Sequence, residues 1–169
     1  MTKLLNVTNL SALQRFGIKG PAAAEWLIHQ GIEVPKNANT WLKTATGLMV
    51  LRLGASEFLL EDSLDGTNCA ALCVKAKQAT QNVYYVARFD ASFALSGDAT
   101  LDLLAELCTL DLRPSLVADD ALVMTQIAGI SATILRQPLN GEVVYRIWCD
   151  GTYDEFMGGV LQEVASEIA

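Results

Sequence analysis

The sequence predicts an α+β fold made of duplicated strand–helix–hairpin–helix halves. Three observations carry this prediction. First, Phe93–Pro114, FALSGDATLDLLAELCTLDLRP, echoes Phe16–Pro35, FGIKGPAAAEWLIHQGIEVP. Phe16 falls on Phe93, Ile18 on Leu95, Gly20 on Gly97, Ala22 on Ala99 and Leu27 on Leu104, all at one offset of 77 residues. Each copy reads as a short strand, a Gly turn and an amphipathic helix. Second, the same offset matches helix faces. Ala24, Leu27, Ile28 and Gly31 form an inner stripe in one copy, and Leu101, Leu104, Ala105 and Cys108 in the other, while Glu25 with Asp102 and His29 with Glu106 fall outside. Third, hairpin-like apolar runs alternate with helical segments along the whole chain, which favours α+β over a doubly wound parallel sheet.

The elements follow in order. Val7–Leu10 and Leu13–Ile18 read as strands, and Pro21–Gln30 as a helix whose first position suits a residue without an N–H. A loop over Gly31–Asn39 is marked by Pro35 and two Asn residues. Leu48–Leu53 and Phe58–Leu60, split by Gly54-Ala55-Ser56, read as a hairpin. Asn68–Gln81 has a helical stripe of Cys69, Leu72, Cys73 and Ala76, and Val83–Ala87 returns as a strand. The second copy supplies the strand Phe93–Leu95 and the helix Ala99–Cys108, with Asp98 placed to cap it. Leu122–Ile127, Ala132–Leu135 and Val143–Trp148 are strands separated by Gly129 and by Pro138–Gly141. In the last helix, Thr152 and Glu155 have capping-box spacing, and Tyr153, Phe156, Met157, Val160, Leu161, Val164 and Ile168 read as one apolar face. Gly158 and Gly159 inside it predict close packing against a neighbouring element.

The 169 residues are expected to form a single domain, with pseudo-repeat halves at about 7–82 and 83–169. Hydrophobic residues make up 51% and charged residues only 18%, which points either to apolar surface covered by a partner or to an unusually Ala- and Leu-rich core. The net charge is −7 with no basic run, which excludes nucleic acid and an anionic membrane surface as main partners. No apolar segment has the length of a signal peptide or membrane span, so the expected compartment is the cytoplasm, with Cys69, Cys73, Cys108 and Cys149 as reduced thiols.

Chemistry is sparse. His29, the single histidine, sits near a predicted helix C-terminus, where it complements the helix dipole. The cysteines lack zinc spacing, and Cys69 and Cys73 are not Cys-x-x-Cys, so all four read as buried small side chains. There is no Gly-x-Gly-x-x-Gly, Walker loop or Gly-x-Ser-x-Gly. Asp111 and Arg113, between leucines, predict a partly buried ion pair that locks the turn after the second-copy helix. No catalytic, cofactor-binding or metal-ligating residue is assigned.

The second-copy stretch ending in Leu-Asp-Leu-Arg-Pro (110–114), with Thr125, Ala128-Gly129 and Arg136, and the earlier RFGIKGPAAAEWL and LGASEFLL, resembles the gamma subunit of heterotetrameric sarcosine oxidase. The resemblance runs from about Leu10 to Leu161. It implies the duplicated folate-binding fold of the glycine-cleavage T-protein and the tRNA-modifying GTPase superfamily. It also implies a small non-catalytic subunit, inactive alone, of an enzyme that demethylates sarcosine to glycine. The partners implied are the alpha, beta and delta subunits, and FAD, FMN, NAD and tetrahydrofolate are implied for those partners, none for this chain. The alternative is a stand-alone folate-binding one-carbon protein. Against it, T-proteins carry Gly-Gly-(Ile/Val)-x-Asp-Asp where this chain has Ala128-Gly129-Ile130-Ser131-Ala132-Thr133, without either aspartate. Asp90 and Ser92 match the T-protein Asp-x-Ser and are expected to cap a turn. Trp26, Trp41 and Leu103 are the candidate interface residues: Trp26 and Leu103 lie one residue off the predicted inner stripes, and Trp41 lies among polar residues.

Overall fold

The computed structural model describes residues 4–79, 81–139 and 141–168. It is a mixed α and β structure with two five-stranded antiparallel sheets. The chain divides into two compact units: an N-unit, Leu13–Arg88, and a C-unit, Phe89–Ala169 together with Met1–Ala12.

The chain opens with β1 (Asn6–Asn9), which belongs to the C-unit because it pairs with β7 (Ala91–Ser96). The N-unit sheet has the order β3 (Thr40–Lys43), β4 (Met49–Gly54), β5 (Glu57–Glu61), β2 (Arg15–Lys19), β6 (Tyr84–Ala87). Two helices, α1 (Ala23–His29) and α2 (Asn68–Gln78), supply side chains to its core with Phe16, Ile18, Val50, Phe58 and Leu60. The C-unit sheet has the order β1, β7, β10 (Glu142–Cys149), β9 (Ile130–Leu139), β8 (Leu122–Ile127). Its core joins Phe93, Leu95, Ile134 and Ile147 to residues of α3 (Thr100–Leu107) and α4 (Asp154–Ile168).

Both sheets follow one connectivity. Reading β6, β2, β5, β4, β3 against β1, β7, β10, β9, β8 gives strand-for-strand the same order. Each sheet takes an edge strand from beyond the expected boundary: β1 pairs with β7, and β6 with β2. The units therefore depart from the expected halves at 7–82 and 83–169, since strand pairing moves β1 and β6 across that boundary.

The glycine turns explain the matched positions. Gly20 and Gly97 have φ of 120° and 110°, and a Cβ there would lie 2.0 Å from the Asn82 carbonyl oxygen and 2.3 Å from that of Leu4. Only glycine admits such a crossing strand. Ala22 N–H then donates to the Asn82 carbonyl at 3.2 Å and Ala99 N–H to that of Leu4 at 3.3 Å, so the start of each helix is tied to the segment just before β6 or β1.

Several local expectations shift. The buried or half-buried positions of α1 are Ala23, Ala24, Trp26 and Leu27, and those of α3 are Thr100, Leu101, Leu103, Leu104 and Leu107, followed by the buried Cys108. The stripes are broader than predicted, taking in Trp26 and Leu103, while Ile28, 58% exposed, and Ala105 lie outside them. Trp41 lies in β3, a strand that the sequence pattern does not announce. A 3-10 turn, Gly151–Tyr153, precedes α4, and Asp150 rather than Thr152 is its cap, accepting the Thr152 N–H at 2.9 Å. On α4 Met157 and Leu161 are buried, whereas Phe156, and Tyr153 in the preceding turn, are exposed. A Cβ on Gly158 would meet the Phe93 ring at 3.3 Å, as close packing requires, but nothing lies within 4 Å of one on Gly159.

Candidate functional site

The corner after α3 carries the Leu-Asp-Leu-Arg-Pro motif. Cys108 leaves the helix in an extended conformation, and Leu112 drops into the C-unit core. The buried Tyr145 hydroxyl fastens it by donating to the Leu112 carbonyl at 3.0 Å. Asp111 and Arg113 form the predicted ion pair, with Arg113 Nε 2.8 and 2.9 Å from the two carboxylate oxygens. The pair is exposed rather than partly buried, because the leucines alone turn inward. Hydrogen bonds from Arg113 hold the Asp111 carboxyl below its usual range. An ionised carboxylate neutralised by its neighbour is a lock for the turn and a poor general acid. Beside the corner lies a groove of about 500 Å³, walled by Leu101, Leu104, Ala105, Cys108 and Leu110. Asp102, Thr109, Asp111 and Arg113 also line it, so the groove mixes aliphatic and polar groups.

The other chemically able side chains are tied into structure. Asp62, 2% exposed, accepts the Cys69 N–H at 2.8 Å and the Asn68 N–H at 3.1 Å, capping α2 from the end of β5. Arg15 and Glu61 form an enclosed ion pair at 2.8 Å. Burial, then the Asp62 carboxylate, pushes the Cys69 thiol far up. Burial, then the carboxylates of Asp154, Asp90 and Asp150, pushes the Cys149 thiol up to about 11. Both stay neutral near pH 7, the unreactive form. His29 Nδ1 donates to the Glu25 carbonyl of its own helix at 2.9 Å, in the last turn as expected. Among the described residues, no three His, Cys, Asp or Glu side chains gather to hold a metal ion. No described helix is long and apolar enough to cross a membrane.

The hairpin that matches the T-protein folate run does not fit folate chemistry. Ala128 and Gly129 form its two-residue turn with φ of 50° and 79°. Ala132, at the first missing aspartate, faces the C-unit core, and Thr133 at the second is neutral. No carboxylate is offered along this run. Ser92 is a fully buried residue of β7 rather than a turn cap. Its N–H donates to Ser11 Oγ at 3.0 Å and its hydroxyl accepts from Arg146 at 3.2 Å. Asp90 precedes that strand.

The three predicted interface residues differ in burial. Trp26 is half-buried and packs against the N-unit core. Trp41 is half-buried on β3, an edge strand. Leu103 is 0% exposed in the C-unit core, which corrects its assignment to a partner surface. The inner stripe of α3 is wider than predicted: position 103 points inward with 104. Sequence reasoning missed the outward aromatic pair, Tyr153 and Phe156, at 42% and 51% exposure. It also missed Arg52, whose guanidinium donates to the carbonyls of Pro35, Lys36 and Ala55 at 2.9, 2.8 and 2.7 Å and so organises the loop before β3.

No protein-family model matches the chain, and no curated protein is significantly similar to it. Solved structures are similar in fold. A chain of the heterotetrameric sarcosine oxidase from Corynebacterium sp. U-96, in complex with pyrrole 2-carboxylate, matches with a TM-score of 0.77 and 21% identity, over 97% of this chain and 85% of that one. The glycine cleavage system aminomethyltransferase T from Bartonella henselae matches with a TM-score of 0.66 and 16% identity, over 95% of this chain but 46% of that one. These are the proteins the sequence resemblance pointed to, and the chain shares their fold.

Proposed function

We propose that the chain is the small, non-catalytic gamma subunit of a heterotetrameric sarcosine oxidase, the assembly that oxidatively demethylates sarcosine to glycine. One observation carries this reading: the fold match spans nearly all of this chain and 85% of one chain of such an enzyme. The aminomethyltransferase match covers less than half of that protein. The absence of a carboxylate from the 128–133 run and the high-pKa thiols support a role without chemistry of its own. On this reading the alpha, beta and delta subunits are its partners, and they hold FAD, FMN, NAD and tetrahydrofolate.

The two units are read as a duplication with exchanged first strands. Their common strand order, the paired glycines at 20 and 97 and the equivalent stripes at 26–27 and 103–104 support it. The cytoplasm is the proposed compartment, which suits four unpaired cysteines. Trp26 and Trp41 remain candidate interface residues.

Co-expression with the alpha, beta and delta subunits, with and without this chain, tests the proposal. The expected result is an assembly that retains the chain through purification, and titration calorimetry of the isolated chain with tetrahydrofolate that shows no saturable heat. Saturable folate binding by a chain that joins no assembly overturns it.

A further inference from the structure

The helices of the two units carry opposite charge. On α3 and α4 the charged residues are Asp102, Glu106, Asp154, Glu155, Glu163 and Glu167, with no Lys or Arg. On α1 and α2 they are Glu25, Lys75 and Lys77, beside His29. α2 thus differs in sign from α4, its counterpart in the same connectivity, so the fold itself does not demand the acidity of α4.

The acidic surface surrounds apolar groups. Phe156 is 51% exposed and Tyr153, one helical turn before it, 42%. Glu155, Gly159, Gln162, Glu163, Ser166 and Glu167 continue the exposed face of α4. Gly159 has an intrinsic helix cost of about 1 kcal/mol relative to Ala. Unlike Gly158, it has no neighbour inside the chain that requires it. An aromatic anchor within a charged rim is the anatomy of a protein interface rather than of bare solvent-facing surface.

We propose that the outer face of α4, centred on Phe156, docks onto a basic protein surface, one with Lys and Arg around an apolar seat. This rests on the gamma-subunit reading, and the surface belongs to one of the larger subunits. Charge complementarity selects the occupant. Positive charge is what Glu155, Glu163 and Glu167 attract, and it would steer association. A second copy meeting face to face would set these carboxylates against one another. The missing side chain at Gly159 lets the partner approach the α4 backbone beside Phe156.

The test is binding of this chain to a purified assembly of the alpha, beta and delta subunits, measured at about 0.05 and about 0.5 M salt, which spans strong and weak screening. Three variants are compared with the natural chain: Phe156→Ala, the charge reversal Glu155→Lys with Glu163→Lys, and the control Lys75→Glu with Lys77→Glu on α2. Phe156→Ala is expected to weaken binding by about thirtyfold or more, the scale of an aromatic hot spot. The reversal should weaken it and abolish its salt dependence, and the control should bind as the natural chain does. Glu155 and Glu163 are exposed, so the reversal reports on docking even if Phe156→Ala disturbs folding. If the natural chain binds while neither α4 variant loses affinity, the docking face is refuted and the gamma-subunit reading stands. If the natural chain binds no subunit, both fall. Self-association of the isolated chain that Phe156→Ala abolishes would make the occupant a second copy and overturn the proposal.

Discussion

Leu103→Ala separates a core residue from an interface residue at one position. Leu103 is 0% exposed and shares the C-unit core with Phe93, Leu104, Met157 and Leu161. Truncation removes three carbons from an enclosed site, about 2.4 kcal/mol at 0.8 kcal/mol per buried methylene. A residual cavity raises the cost to about 3–5 kcal/mol. At roughly 2–4 °C per kcal/mol for a chain of this size, the melting temperature falls by about 6 °C or more. Urea unfolding followed by circular dichroism is the assay, with the midpoint falling and the slope unchanged. A residue held for a partner would instead leave the isolated chain's midpoint alone and weaken only assembly. A loss below about 1 kcal/mol would refute the inward placement of Leu103 and the packing built on it.

Three further outcomes follow from the same coordinates. Gly97→Ala forces a Cβ to within 2.3 Å of the Leu4 carbonyl at φ 110° and should cost about 2 kcal/mol or more, whereas Gly159→Ala, in open space, should stabilise the isolated chain by about 1 kcal/mol; thermal melts of both decide. Asp62→Ala strips the acceptor from the Asn68 and Cys69 N–H groups and should cost about 1–3 kcal/mol in urea, with Asp62→Asn retaining part of it. The Cys149 thiol rises from its ordinary 9.0 to about 11 in the fold, so the native state keeps a proton the unfolded state gives up. Its stabilisation is complete below pH 9 and lost as pH climbs through 11, so urea midpoints should fall over that window and fall less steeply in Cys149→Ala.

Much of the fold was legible because it is written in local patterns. The strand at 122–127 has the predicted bounds, and the offset of 77 residues locates two glycines with matching φ and matching clashes. Helix faces were harder. α1 and α3 are short, with apolar residues on most sides, so several stripes contain Leu27 or Leu104 and only packing on the sheet selects among them. The 3-10 turn before α4 changes the angular step, and so Tyr153 does not continue the face of Met157 and Leu161. Asp62 caps a helix that begins six residues later, from the end of a different element, and no local window displays that. Strand exchange at β1 and β6 is likewise a property of pairing, invisible in either segment alone. The candidate surface was half legible: composition announced excess apolar character, but the residues nominated for it were partly wrong. Leu103 is core, and Tyr153 and Phe156, which the pattern puts on the core face of the last helix, are exposed.

The central claim is that this chain works as the small subunit of a larger oxidase. Native mass spectrometry of the chain purified from its own host under mild conditions tests it most directly. The account predicts that the 18.2 kDa chain appears within a heteromeric complex, one copy together with larger flavin-bearing subunits, and that the complex oxidises sarcosine. Recovery of the chain only as a free 18.2 kDa species, under conditions that preserve other assemblies, would contradict it.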